Sequence, residues 1–167
     1  MRPKKFELGL HGKTYRDWKV FEKRIEGEAN CKGHVCIKIP ERNQKVPTGS
    51  GRIRIQLVKS DVDFVLVCNG VPYFFDAKSC GERTFNLQKF CYGPEKIHQL
   101  LQLQCIRDRG CRAGYMIWWG AYELISWVPI EVIERVHDRG DLSLIHTEPG
   151  VMSQSENQII NFERLLI

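Results

Sequence analysis

Asn69-Gly70 stands between two apolar runs, Phe64 to Val67 and Tyr73 to Phe75, in the stretch DVDFVLVCNGVPYFFDAKS. No other feature restricts the fold as tightly. Asn-Gly between apolar runs is the strongest short-range hairpin signal, because both residues of the favoured turn must take positive φ. Even pairing of two strands about that turn sets Asp63 directly opposite Asp76.

Cross-strand neighbours on one sheet face have Cβ atoms about 5 Å apart, and like charges placed there repel. A cation is therefore expected between the two carboxylates. Lys78 returns to the same face, because side chains alternate along a strand with period two. Two carboxylates and an ammonium on one small area of sheet suit the binding of Mg²⁺ beside a phosphate. The competing reading is a solvated sheet face. The apolar character of Phe64 to Val67 and Tyr73 to Phe75 argues against it.

With 167 residues, 43% of them hydrophobic, the chain is expected to form one globular domain over residues 1–167. No apolar run reaches the roughly 20 residues of a membrane span, and MRPKKFELG lacks the apolar stretch of a secretory signal. The expected location is the cytoplasm, or the host cytoplasm if the source is a virus; a compact single domain of this kind would suit a phage. Seven cysteines at irregular spacing do not form a secreted disulfide framework. Structural zinc is disfavoured too, since Cys31, His34, Cys36, Cys105 and Cys111 include no CxxC pair.

The net charge of +5 hints only mildly at an anionic partner. Its distribution says more. Between Cys31 and Ser60 lie seven basic residues, Lys32, Lys38, Arg42, Lys45, Arg52, Arg54 and Lys59, against the single acid Glu41. Broken by Pro40, Pro47 and the run TGSG, this segment is expected to be a basic loop over about 31–52 followed by a strand. Lys38, Arg42, Lys45, Arg52, Arg54 and Lys59 are the candidate contacts to a nucleic-acid backbone.

The first helix is expected from about Tyr15 to Asn30. Thr14 and Asp17 resemble a capping box, and Gly33 lies past the end. Tyr15, Trp18, Ile25 and Ala29 form its apolar stripe, with Glu22 in the middle. A carboxylate there either escapes at the edge of the packing or points at the same cation as the aspartates; Glu26 is the alternative, and Glu28 is expected outside. Arg52 to Val58 alternates as a strand with one wet face. A helix is expected from Pro94 to about Asp108, stopped by Gly110, with Ile97, Leu100, Leu101 and Cys105 inward and His98, Gln99 and Gln102 opposite.

Two more strands, Arg112 to Trp119 and Tyr122 to Val128, precede a final helix near Pro129 to His137. The tail, about 146–167, ends in Phe162, Leu165, Leu166 and Ile167, which suit docking onto the body or onto a partner. Alternating strands and helices indicate an α/β domain with a central mixed sheet flanked by helices. Tyr115, Trp118, Trp119, Tyr122 and Trp127 are expected in the core or a dimer interface rather than stacked on bases. Arg107, Arg109 and Arg112 are further candidates for phosphate contacts.

A helix carrying Glu22, then Asp63, then Asp76-Ala77-Lys78, resembles the PD-(D/E)XK nuclease superfamily. With Phe90, the pair His98-Gln99 and the apolar run Gly114 to Trp118, the chain is similar to RecU-type Holliday junction resolvases. Their sequences place the motif's aspartate and the acid of an acid-Ala-Lys triplet thirteen positions apart, as Asp63 and Asp76 are here. Asp76 stands where glutamate is usual in that family, and shorter archaeal-type resolvases are also similar.

The resemblance implies a restriction-endonuclease-like fold and an intertwined homodimer that holds a four-way DNA junction and nicks two opposed strands. It also implies Mg²⁺ in each active site, with Mn²⁺ as a substitute. By position, Asp63, Asp76 and the Ala77 carbonyl would be metal ligands, Lys78 the catalytic lysine, Glu22 the acid of the first helix and Gln99 a polar residue shaping the site. A general or restriction-like nuclease, or a non-catalytic DNA-binding recombination accessory protein, are the other readings.

Overall fold

The computed structural model of the protein describes residues 18–40, 42–47, 53–58 and 62–166, with 42–47 and 53–58 as backbone only. Thr14, Tyr15, Asp17, Arg52, Lys59 and Ile167 lie outside the described residues.

The hairpin forms as its turn chemistry dictates. Asn69 and Gly70 take φ of 51° and 77°, and strands β4 (Phe64–Cys68) and β5 (Val71–Cys80) pair antiparallel from Phe64↔Phe75 to Cys68↔Val71. On its other side β5 runs parallel to β7 (Arg112–Trp119). Strands β1 (Val35–Lys38), β8 (Leu124–Pro129) and β10 (Met152–Ser155) complete a mixed six-stranded sheet in the order β1-β4-β5-β7-β8-β10. Two small sheets stand apart: β2 (Arg42–Pro47) with β3 (Ile53–Val58), and β6 (Phe85–Asn86) with β9 (Ser143–Leu144). Two segments of the expected basic loop, Val35–Lys38 and Arg42–Pro47, are thus strands, and β3 pairs with β2 rather than joining the main sheet.

Helix α1 (Trp18–Cys31) packs Phe21, Ile25 and Ala29 on one sheet face, against Phe64, Phe75 and Ala77. Gly33 ends it at φ 76°, and the His34 amide returns to the Ala29 carbonyl at 3.0 Å, a left-handed cap. Trp18 is 40% exposed, so it does not belong to the buried stripe assigned to it; Phe21 fills that place. Helices α2 (Ile97–Asp108) and α3 (Ile130–Asp138) cover the opposite face with Leu100, Leu103, Ile133 and Val136. Helix α2 begins three residues after Pro94, following a π-helical turn at Gln88–Tyr92. A Cβ at Gly93 would lie 2.5 Å from the Gln88 carbonyl oxygen, so this exit from the turn excludes a side chain.

The inner face of α2 carries Gln99, Leu100 and Leu103, whereas Leu101 is 56% exposed and Cys105 only half-buried. That helix is rotated from the expected orientation because Gln99, not Leu101, faces the sheet. Helix α3 is not the last element: β9, β10 and α4 (Phe162–Leu165) follow. Ile160, Phe162, Leu165 and Leu166 pack into the α1-side core, so the described tail does dock on the body. Glu28 takes part in that docking by accepting from the Ile160 amide, which corrects its assignment to the outside. Tyr115, Trp118, Trp119 and Trp127 are buried as expected, but β8 begins at Leu124, so Tyr122 lies in the turn before it and is 36% exposed.

Candidate active site

Strand β4 begins one residue after Asp63, and the ladder changes there. The Asp63 amide donates to the Phe75 carbonyl at 3.2 Å, its carbonyl accepts from Ile39 at 2.8 Å, and its side-chain Oδ2 accepts from the Ala77 amide at 3.0 Å. A carboxylate thereby replaces a backbone rung. Its position is set by the hairpin register and by a hydrogen bond to the strand that carries Asp76, Ala77 and Lys78.

Asp76 is 1% exposed and Lys78 8%. Their side chains form an ion pair, and Lys78 Nζ donates to Gln99 Oε1 at 3.1 Å. Gln99 is itself buried on α2, and this explains why a polar residue occupies that helix's inner face. Burial opposes the charge on Lys78, but the adjacent Asp76 carboxylate outweighs it and raises the ammonium's pKa above its ordinary value. Lys78 therefore stays a cation at all physiological pH.

The two carboxyls respond in opposite directions. Burial, then the hydrogen bond and charge of Asp76, push Asp63 from 3.8 up to about 9. Burial also works against ionisation of Asp76, but the charge of Lys78 and the hydrogen bond from Asp63 hold its carboxyl below the ordinary value. One proton is shared between neighbouring carboxyls that cannot both ionise unaided. With Asp63 deprotonated, the Lys78 ammonium is the partner that remains to compensate the buried Asp76 carboxylate.

Glu22 on α1 is buried, and the Lys38 ammonium, at the end of β1, donates to its Oε2 at 2.6 Å. Burial raises the Glu22 pKa against the opposing effect of Lys38. Glu22, Lys38, Asp63, Asp76, Ala77, Lys78 and Gln99 all line one cleft of about 800 Å³, within the ~300–1,000 Å³ typical of ligand sites. Glu26 is not among its lining residues, and His98 is exposed on α2.

The cleft also holds residues that sequence reasoning did not assign to it: Trp18 and Lys19 on the α1 side, and Lys89, Phe90, Glu95 and Lys96 on the α2 side. Trp18 and Lys19 sit one turn before Glu22, a spacing that could have signalled them. Among the other basic candidates, Arg42, Lys45 and Arg54 lie on β2 and β3 with backbone alone described. Arg107 is held by Glu134 and Asp108, away from this cleft.

The donor set fits a hard divalent cation. Two adjacent buried carboxyls that share one proton, with a single ammonium against Asp76, would be compensated on losing that proton by a cation between them. Among the described residues no group of three or more His, Cys, Asp and Glu is arranged around a metal position. Any cation there would depend on these two side chains, backbone carbonyl oxygen and water, which suits Mg²⁺ better than zinc.

The family model described as recombination protein U matches residues 35–158, which include Lys38, Asp63, Asp76, Lys78 and Gln99 and exclude Glu22. A search of curated proteins finds no match. The match extends over most of the chain, from the edge strand of the main sheet through β10, and the chain belongs to the recombination protein U family, a family of Holliday junction resolvases.

Proposed function

We propose that the protein is a divalent-metal-dependent endonuclease that resolves four-way DNA junctions by nicking two opposed strands. The observation that carries this reading is the convergence of Asp63, Asp76, Lys78 and Gln99 in one cleft, within the segment that matches the family. Asp63, Asp76 and the Ala77 carbonyl are the proposed ligands for Mg²⁺ or Mn²⁺. Such an ion, when bound, would polarise the scissile phosphodiester and lower the pKa of an attacking water.

The remaining work falls to the chain's own groups. Asp63 gives up its proton to become a ligand, so metal affinity rises with pH toward about 9. Lys78 is fixed by Asp76 and Gln99 and is too firmly protonated for a general base. Its role is to position the nucleophilic water by hydrogen bonding or to neutralise charge developing on the phosphoryl oxygens. Gln99 orients Lys78. Glu22 is held by Lys38 at the side of the cleft, where it can reach a cation through water once Lys38 turns toward a phosphate.

Two opposed nicks in one junction require two active sites, so the proposal includes a homodimer. Strand β1 is an edge of the main sheet, and exposes Val35 and Ile37. The basic residues of β2 and β3 are proposed to follow the DNA backbone.

The test is a substrate panel. Labelled four-way junction, matched duplex and flap are each incubated with Mg²⁺, Mn²⁺ or EDTA. Symmetric nicks confined to the junction and lost in EDTA are the expected result. Equal cutting of duplex would replace the junction reading with a general nuclease, and binding without cleavage in either metal would point to an accessory protein.

A further inference from the structure

Tyr115, Trp118, Trp119 and Trp127 are in the core, yet among the described residues the cleft has two aromatic side chains of its own. Trp18 stands exposed on the α1 side, and Phe90 on the α2 side, half-buried in the π-helical turn. Asp63, Asp76 and Lys78 line the same cleft. Phe90 is backed by the fully buried Phe85, with ring centroids 4.5 Å apart and planes inclined by 12°. It is therefore a fixed surface, and π-helical turns occur frequently at functional sites.

Each ring is accompanied by a basic neighbour. The Lys19 ammonium lies 5.4 Å from the Trp18 ring centroid, and the Lys89 ammonium 5.1 Å from that of Phe90. An aromatic face paired with a cation is the combination that single-stranded nucleic acid requires: the ring stacks on a base while the ammonium meets a phosphate. Duplex DNA keeps its bases stacked on one another and offers them no partner here. Unstacking a base costs a few kcal/mol and least where its pairing is already lost or disturbed, and a branch point interrupts the continuous stack.

We propose that Trp18 and Phe90 hold an unstacked base next to the scissile phosphate, so that the cleft selects strands leaving a branch point over continuous duplex. This inference rests on the nuclease reading for the location of the phosphate, and it adds how the site discriminates among DNA shapes. Lys19 and Lys89 contact the phosphates on either side of that base.

The test couples protein to DNA. Trp18→Ala, Phe90→Ala and the conservative Trp18→Phe and Phe90→Tyr are assayed on four-way junctions in which an abasic residue replaces, in turn, each nucleotide flanking the branch point. Affinity is measured in EDTA, and kcat and KM in Mg²⁺. With intact DNA, each alanine variant is expected to lose about tenfold or more in junction affinity and in kcat/KM, with duplex affinity and Tm within the range of the wild type. The aromatic variants retain most of both. An abasic residue at the responsible position costs the wild type a similar factor and costs an alanine variant little more.

Alanine variants that bind and cut junctions as the wild type does, or losses that multiply independently at every abasic position, would overturn the proposal. The EDTA arm separates it from the nuclease reading. Coupling in binding without any cleavage by the wild type would leave the base contact standing and remove the catalytic assignment. Cleavage without coupling would do the reverse.

Discussion

The substitution Asp63→Asn should make the metal-free protein more stable at alkaline pH. The asparagine amide retains an oxygen to accept the Ala77 amide and carries a donor for Asp76, as the protonated carboxyl of Asp63 does. It cannot ionise. The Asp63 carboxyl has a folded pKa of about 9 against an ordinary value of 3.8. Below about pH 4 it is protonated in both folded and unfolded chains and contributes no pH dependence. Between the two values the unfolded chain releases the proton and the folded chain keeps it, so stability falls as pH rises across this window.

At pH 7.5 the span from 3.8 corresponds to a ceiling of about 5 kcal/mol at ~1.36 kcal/mol per pH unit. Sharing of the proton with Asp76 and local relaxation reduce this to about 1–3 kcal/mol, or roughly 3–10 °C in Tm for a domain of this size. The assay is thermal unfolding of both proteins in EDTA from pH 4 to 9. The expected Tm difference, Asp63→Asn above wild type, grows with pH and is smallest at pH 4. A difference that does not change with pH, or an Asp63→Asn variant less stable than the wild type at pH 8, would refute the shared-proton account of the pair.

Three further outcomes follow from the same contacts. Gln99→Leu removes the acceptor that orients Lys78 and should lower kcat on a junction by about 10–100-fold while changing KM little, as loss of an orienting partner does in metal sites; steady-state kinetics check this. Lys38→Met strips the buried Glu22 of its cation, and since the Lys38 side chain is 44% exposed the loss at pH 8 should be about 1 kcal/mol or less. The Glu22 pKa then rises further, so the loss shrinks toward pH 4, which Tm measured at both pH values detects. Phe162→Ala opens a cavity under α1, where Phe162 is fully buried, and should cost about 3–5 kcal/mol in a denaturant titration.

The centre of the fold was legible because it rests on local rules. Asn69 and Gly70 fixed the hairpin, the hairpin fixed the register, and the register brought Asp63 beside Asp76 with Lys78 on the same face. Strand β7 was readable residue for residue, since Arg112 to Trp119 is a largely apolar run between Gly110 and Gly120. What depended on packing was less visible. Helical periodicity alone put Leu101 inside and Gln99 outside, and nothing local could reveal that buried Lys78 needed an acceptor from α2.

Trp18 illustrates the same limit from the other side. By spacing it belongs to the buried stripe of α1, but it is exposed and stands at the cleft instead. The separation of β2 and β3 from the main sheet was equally hidden, because alternation within Ile53 to Leu57 shows that a strand exists without showing its partner.

The carboxylate pair set by the hairpin is proposed as a metal-binding catalytic centre. The most direct measurement is cleavage of a labelled four-way junction in Mg²⁺ by the wild type and by Asp76→Asn, with junction affinity and Tm recorded for both. Paired nicks by the wild type, none in EDTA, and a loss on the order of a thousandfold or more in kcat for the variant with binding retained are expected. An Asp76→Asn protein that still cuts the junction at the wild-type rate in Mg²⁺ would contradict the proposal.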